Sequence, residues 1–130
     1  MEKDRYFVQN FRTLRVYQLA FQSAIDIFTL SKKFPREEKY SLTDQVRRSS
    51  RSVCSNIAEG WYKRKYLAVF KNNLTDSLQE APETQTWLEF SQAFGYIDDE
   101  YFEKLFNQYE SIICMLVKMY KKAESFCQFS

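Results

Sequence analysis

The 130-residue chain contains no histidine. That absence removes Ser-His-Asp and Cys-His catalytic sets, His-bearing zinc sites and the Glu-x-x-His pairs of di-iron bundles. A carboxylate-only or lysine-based enzyme would need a Gly-rich phosphate loop or paired carboxylates, and neither pattern is present. The chain is therefore read as a non-enzyme, with no catalytic residue, metal or cofactor expected. Only two Gly and two Pro occur, too few for the tight turns of a multi-stranded sheet, which favours long helices. The three cysteines, Cys54, Cys114 and Cys127, are odd in number and widely spaced. They argue against a disulfide framework and for free thiols. No run approaches the roughly 20 apolar residues that span a bilayer, and "MEKDRYFVQN" has no apolar signal core. A cytoplasmic protein with no membrane partner is expected.

What is present is ordinary in amount. Hydrophobic residues make up 45% and charged residues 28%, as in a soluble globular protein. Residues 1–130 are read as one domain, long enough to bury about two thirds of its unfolded surface. Aromatics reach 18%, with twelve Phe and nine Tyr, read first as core and interface filler.

Periodicity predicts four helices. Leu14, Tyr17, Phe21, Ala24 and Phe28 alternate steps of three and four, marking one face of a helix from Phe11 to about Leu30. Pro35 ends it and "KKFPREEKYS" forms a connection. Ser41 is the expected N-cap, with Asp44 three residues on, of a second helix from about Leu42 toward Gly60, where a left-handed glycine would stop it. A third helix carries Leu67, Phe70, Leu74, Leu78, Ala81 and Leu88 and should end before Gly95. Pro82 within it predicts a kink or break at Ala81–Pro82. Asp98 and Asp99 open a fourth, with a stripe of Phe102, Leu105, Tyr109, Ile112, Leu116, Met119 and Ala123. Short connections then give an all-α, antiparallel up-down four-helix bundle. Each apolar stripe is read as core.

The second helix is unusual in composition. Arg47, Arg48 and Arg51 lie nearly opposite its apolar side of Leu42, Val46, Val53 and Ile57. Ser49, Ser50, Ser52, Cys54 and Ser55 are mediocre helix formers, small enough to let neighbouring backbones approach. Cys54 has cations near it that would favour a thiolate, but a small packing residue is the preferred reading. Lys63, Arg64 and Lys65 follow Gly60; if the helix-end turn brings them alongside, six cations form one patch. Residues 1–65 hold 14 Lys and Arg against 7 acids, while residues 66–130 hold 5 against 10. Three readings stay open. The patch binds nucleic-acid phosphates; or it meets an acidic face around Asp76, Glu80, Glu83 and Glu89 of another copy in a head-to-tail ring; or it is a solvated face, with Glu59 pairing Arg48 or Lys63.

The run "FPREEKYSLTDQVRRSSRSVCSNIAEG" resembles the signature of the 23S rRNA-intervening sequence protein family, FP-x-x-E-x-Y-x-LT-x-Q-x-RR-x-x-x-S-x-x-SNIAEG. "ETQTWLEF" with "GYI" fits the family's later stretch, so the resemblance runs from about Phe11 to about Lys122. It implies a four-helix bundle that assembles as a ring-like homopentamer, some members being encoded by insertions in large-subunit rRNA genes. It also implies kinship with basic accessory proteins of diversity-generating retroelements, which work with nucleic acid and a reverse transcriptase. No catalytic residues come with it. Ser52, Asn56, Glu59 and Gly60 are implied to form a structural motif that sets the end of the second helix. Arg47, Arg48, Arg51, Lys63, Arg64 and Lys65 are then left as nucleic-acid-binding candidates, with RNA favoured over DNA and a protein-interaction scaffold as the alternative. Pro82 and Asp76 depart from the family pattern, and a net charge of only +2 departs from the strongly basic character of the accessory proteins.

Overall fold

The expected periodicity becomes four long helices in the computed structural model, which describes residues 10–127. They are α1 (Arg15–Ser31), α2 (Leu42–Tyr62), α3 (Leu67–Ala93) and α4 (Asp99–Lys121), followed by a short α5 (Ala123–Cys127). Single 3-10 turns occupy Phe11–Thr13 and Arg36–Glu38. No strand occurs among the described residues, so the fold class is all-α. Among the same residues no helix is long and apolar enough to cross a membrane.

Cross-helix pairs give the direction of packing. Asn56 meets Asn73, Val53 meets Ser77 and Ser49 meets Thr84. Position rises along α3 as it falls along α2, so the two run antiparallel. Gln85 reaches Phe106 and Gln92 reaches Asp99 in the same opposed sense between α3 and α4. α1 packs on α2 and on α4, closing a four-helix bundle around one core. Val46, Val53 and Ile57, Phe70 and Leu74, and the α4 stripe from Phe102 to Leu116 are buried in it as expected.

Of the two glycines, Gly95 follows the helix end expected before it, while Gly60 does a different job from the one expected. Gly95 has φ +79° and ends α3: its N–H donates to Gln92 O and the Tyr96 N–H to Ser91 O, the five-to-two and six-to-one bonds, in that order, of a Schellman stop. Gly60 does not end α2, which continues to Tyr62. It is buried inside the helix, where a Cβ would stand 2.7 Å from the Asn73 Cβ. Gly60 is there so that α3 can approach α2, and the helix end is set two residues later.

Three further expectations change. Ser41 makes no capping bond. Its hydroxyl donates to Glu38 Oε1 (2.7 Å), and that same oxygen accepts the Leu42 N–H (3.3 Å). The carboxylate that opens α2 thus comes from the preceding turn, where the helix dipole favours it. Pro82 causes no break: α3 is one 27-residue helix. Its ring is exposed, while buried Leu74 and Ala81 before it and Leu88 after it tie both halves to the core. The stripe read as the core face of α1 is only its border: Leu14, Tyr17 and Ala24 are half-buried against the core, and the stripe's other members are not in it. Val16, Ala20, Ile27 and Leu30 are buried instead, while Phe21 is 49% and Phe28 39% exposed.

Candidate nucleic-acid interface

α2 has two working sides. Toward α3 it presents Ser49, Val53, Asn56 and Gly60, spaced four, three and four. Thr84 Oγ1 donates to Ser49 Oγ (2.8 Å), Ser77 Oγ to Val53 O (2.9 Å), and Asn73 Nδ2 to Asn56 Oδ1 (3.2 Å). Asn56 also donates to Ser52 O and Oγ. This is the expected close approach of backbones, and it relocates the motif: Asn56 and Gly60 belong to the α2 to α3 seam, and Ser52 accepts from Asn56 at the seam's edge. Glu59 faces solvent and pairs with Lys63 (3.0 Å).

On the other side Arg47, Arg48 and Arg51, with Asp44, Ser52 and Ser55, line an open hollow of about 510 Å³. The Arg47 Nε–H donates to Ser31 Oγ (2.8 Å) and its guanidinium lies 4.7 Å from the Phe28 ring centre. Stacking and that single bond orient the guanidinium fork in advance of any ligand. Arg51 stands 5.9 Å from the same ring. Arg48 is held by Glu83 (3.4 Å) and Glu80 (3.8 Å) of its own chain, not by Glu59. The Glu80 carboxyl is pushed up, first by burial and then by the neighbouring Glu83, against the pull of Arg48. Of the three arginines, Arg47 and Arg51 thus make no ion pair among the described residues.

The six cations do not form one patch. Because α2 runs through Gly60 to Tyr62, Lys63 lies about 18 Å along the axis from Arg51 at 1.5 Å per residue. Arg64 lies flat on Trp61 (4.2 Å) and donates to Trp61 O (2.8 Å). Lys63 and Lys65 share that end with it. All three cysteines are free. Burial pushes the Cys54 thiol up to about 12, which makes it a packing residue with no thiolate character.

Beside the arginine hollow runs a groove of about 460 Å³ between α1 and α2, walled by Tyr17, Phe21, Ile25 and Phe28 and reaching Arg51 and Cys54. Sequence reasoning missed it by assigning Tyr17, Phe21 and Phe28 to the core. The signal was available: α1 carries two apolar series, and a helix in a four-helix bundle buries only one.

The family motifs meet in space at the arginine end of α2. Tyr96 Oη donates to Glu38 Oε2 (2.9 Å), and the Phe34 and Tyr96 rings lie 5.4 Å apart. The Glu38 carboxyl is held below its ordinary value by its bonds from Ser41 and Tyr96. Comparison with known proteins agrees with this correspondence. Residues 12–118 match the family described as 23S rRNA-intervening sequence protein. A crystal structure of a protein of unknown function from the S23 ribosomal protein family of Bacteroides thetaiotaomicron is similar, with TM-score 0.74 and 32% identity over 82% of this chain and 95% of that one. No curated protein matches the chain.

Proposed function

This chain belongs to the 23S rRNA-intervening sequence protein family, and on that premise we propose that it is a non-enzymatic, cytoplasmic homo-oligomer that binds nucleic acid. The observation that carries the reading is the hollow on α2, where oriented Arg47 and unpaired Arg51 converge with the Ser52 and Ser55 hydroxyls. Two guanidinium forks and two hydroxyls at one open surface suit phosphate oxygens, and each neutralised phosphate releases counterions. RNA is favoured over DNA by the family's association with rRNA genes. Kinship with the retroelement accessory proteins and a five-membered ring belong to the same proposal and rest on the resemblance.

Assembly has its own support. Phe21, Ile25 and Phe28 are 49%, 42% and 39% exposed in a row on α1, a patch of the kind that marks protein contacts. Of the acids expected to meet another copy, Glu80 and Glu83 are held by Arg48 of their own chain, so a contact between copies rests on this apolar groove, with Asp76 and Glu89 of α3 left to meet cations of a neighbour. A protein-interaction scaffold with no nucleic-acid role is the second reading, and this groove is what favours it.

The test is light scattering after size-exclusion chromatography, with RNA binding followed across a salt series, on wild type and the Arg47/Arg48/Arg51→Ala variant. An intact oligomer that has lost salt-sensitive binding supports the reading. No wild-type binding together with a dissociated variant overturns it in favour of the scaffold. The change Phe21→Lys with Ile25→Lys should dissociate the oligomer and leave a folded monomer.

A further inference from the structure

The end of the bundle farthest from the arginine hollow gathers cations and tyrosines from three separate segments. Lys63, Arg64 and Lys65 come from the connector after α2, Lys71 from the start of α3, and Lys118, Lys121 and Lys122 from the end of α4. Packing of α5 joins the segments: Phe126 stacks edge-on against Trp61 (5.4 Å) and Phe70 (6.3 Å). Residues 59–71 and 118–127 hold seven Lys and Arg against two acids, while the rest of the chain holds twelve against fifteen. The acidic second half has thus placed four of its five cations here.

Stability does not account for all of these charges. Lys118 and Lys121 lie in the last turn of α4, where a helix dipole welcomes cations. Lys65 and Lys71 flank the first turn of α3, where the dipole opposes them. That turn has no acid and no side-chain cap. Among the described residues Lys65, Lys71, Lys121 and Lys122 make no ion pair. Tyrosines stand between them: Tyr62 is 86% exposed, Tyr66 60% and Tyr120 36%. Lys71 Nζ lies 4.7 Å from the Tyr120 ring centre and Lys65 Nζ 6.0 Å from that of Tyr66. A hollow of about 450 Å³ opens between Lys71, Tyr120 and Lys122.

We propose that this end is a second nucleic-acid surface, one that takes single-stranded RNA by stacking bases on Tyr62 and Tyr66 while the lysines follow the backbone. The proposal rests on the nucleic-acid reading above and adds to it a ligand class and a site. Solvated tyrosines interleaved with lysines are what unpaired bases require, because a duplex hides its base faces and a purely charged surface has no use for the rings.

The test is fluorescence anisotropy with a labelled twelve-nucleotide oligo(U) and a twelve-base-pair RNA duplex, on the full chain. Tyr62→Ala with Tyr66→Ala should weaken oligo(U) binding by roughly ten-fold or more and leave duplex binding unchanged. Tyr62→Phe with Tyr66→Phe, which keeps both ring faces, should bind like wild type. Changing Lys65, Lys71, Lys121 and Lys122 to Gln should make the logarithmic salt slope shallower by about 3, at ~0.7 per single-strand phosphate. If the tyrosine-to-alanine pair binds oligo(U) normally while Arg47/Arg48/Arg51→Ala does not, this surface is overturned and the arginine reading stands. If poly-glutamate competes as well as oligo(U), the end recognises acidic protein and the proposal also fails. If wild type binds neither RNA, both readings fall together.

Discussion

α2 carries two populations of serine. Ser49 and Ser50 are buried within the bundle, whereas Ser52 and Ser55 border the arginine hollow. On the inner side small size matters, because Thr84, Ser77, Asn73 and the backbone of α3 come within hydrogen-bond reach. On the outer side small size leaves the guanidinium groups uncovered. One composition therefore serves packing on one side and recognition on the other. A change confined to either side should move only one property.

The largest expected effect comes from filling the inner seam. Gly60→Ala gains helix propensity of about 1 kcal/mol, yet its Cβ meets the Asn73 Cβ at 2.7 Å and neither atom can rotate away. The helices must shift, at about 1–3 kcal/mol. A net loss of stability in urea denaturation is expected. A stabilised variant would show that the seam is loose and the contrast between sides overstated.

Ser77→Ala sharpens the same contrast at lower cost. It removes a bond to Val53 O inside the bundle and should cost about 1 kcal/mol. The single change Arg51→Ala, on an exposed position, should cost under about 0.5 kcal/mol, Arg47→Ala about 1 kcal/mol through its bond to Ser31, and both should weaken RNA binding. Glu38→Gln tests the junction of the two family motifs, with a cost of about 1 kcal/mol at pH 7 from weakened bonds to Ser41, Leu42 and Tyr96. The fold lowers the Glu38 carboxyl pKa. Its contribution is therefore present above the unfolded value and lost as pH falls through the folded one. Stability curves of wild type and Glu38→Gln should converge in acid.

What could be read in advance follows a physical division. α4 was legible residue by residue because one stripe, Phe102 to Leu116, is its only strongly apolar side, and it went to the core. α1 was not, since Tyr17, Phe21, Ala24 and Phe28 satisfy helical spacing as well as Val16, Ala20, Ile27 and Leu30 do. Periodicity finds a side without saying what covers it. Gly60 was legible as special and misread in kind, because a glycine for close approach and a glycine for a left-handed turn look alike until the neighbouring helix is in place. Arg47, Arg48 and Arg51 shared a face as helical geometry requires. Whether Lys63 to Lys65 joined them hung on two residues of helix past Gly60, and that local uncertainty decided whether there was one basic surface or two.

The smallest expected effect bears on why only part of the arginine cluster is available. Glu80 and Glu83 both reach Arg48, and the Glu80 carboxyl is raised, with burial ahead of Glu83 as the cause. One of its oxygens, Oε1, is buried without a hydrogen-bond partner. A raised carboxyl stabilises the fold fully below its unfolded value, and that contribution is lost as pH rises through the folded value. The fold therefore favours a neutral group over a carboxylate at position 80. Glu80→Gln should stabilise by a few tenths of a kcal/mol, the scale of an exposed pair, and the gain should vanish in urea titrations near pH 4 and below. Arg48 would keep Glu83 and lose its second anion, so RNA affinity at low salt should rise slightly in the same variant. Destabilisation at pH 7 would mean that the Arg48 pair outweighs the burial of Glu80, leaving Arg48 committed to its own chain and the hollow to Arg47 and Arg51 alone.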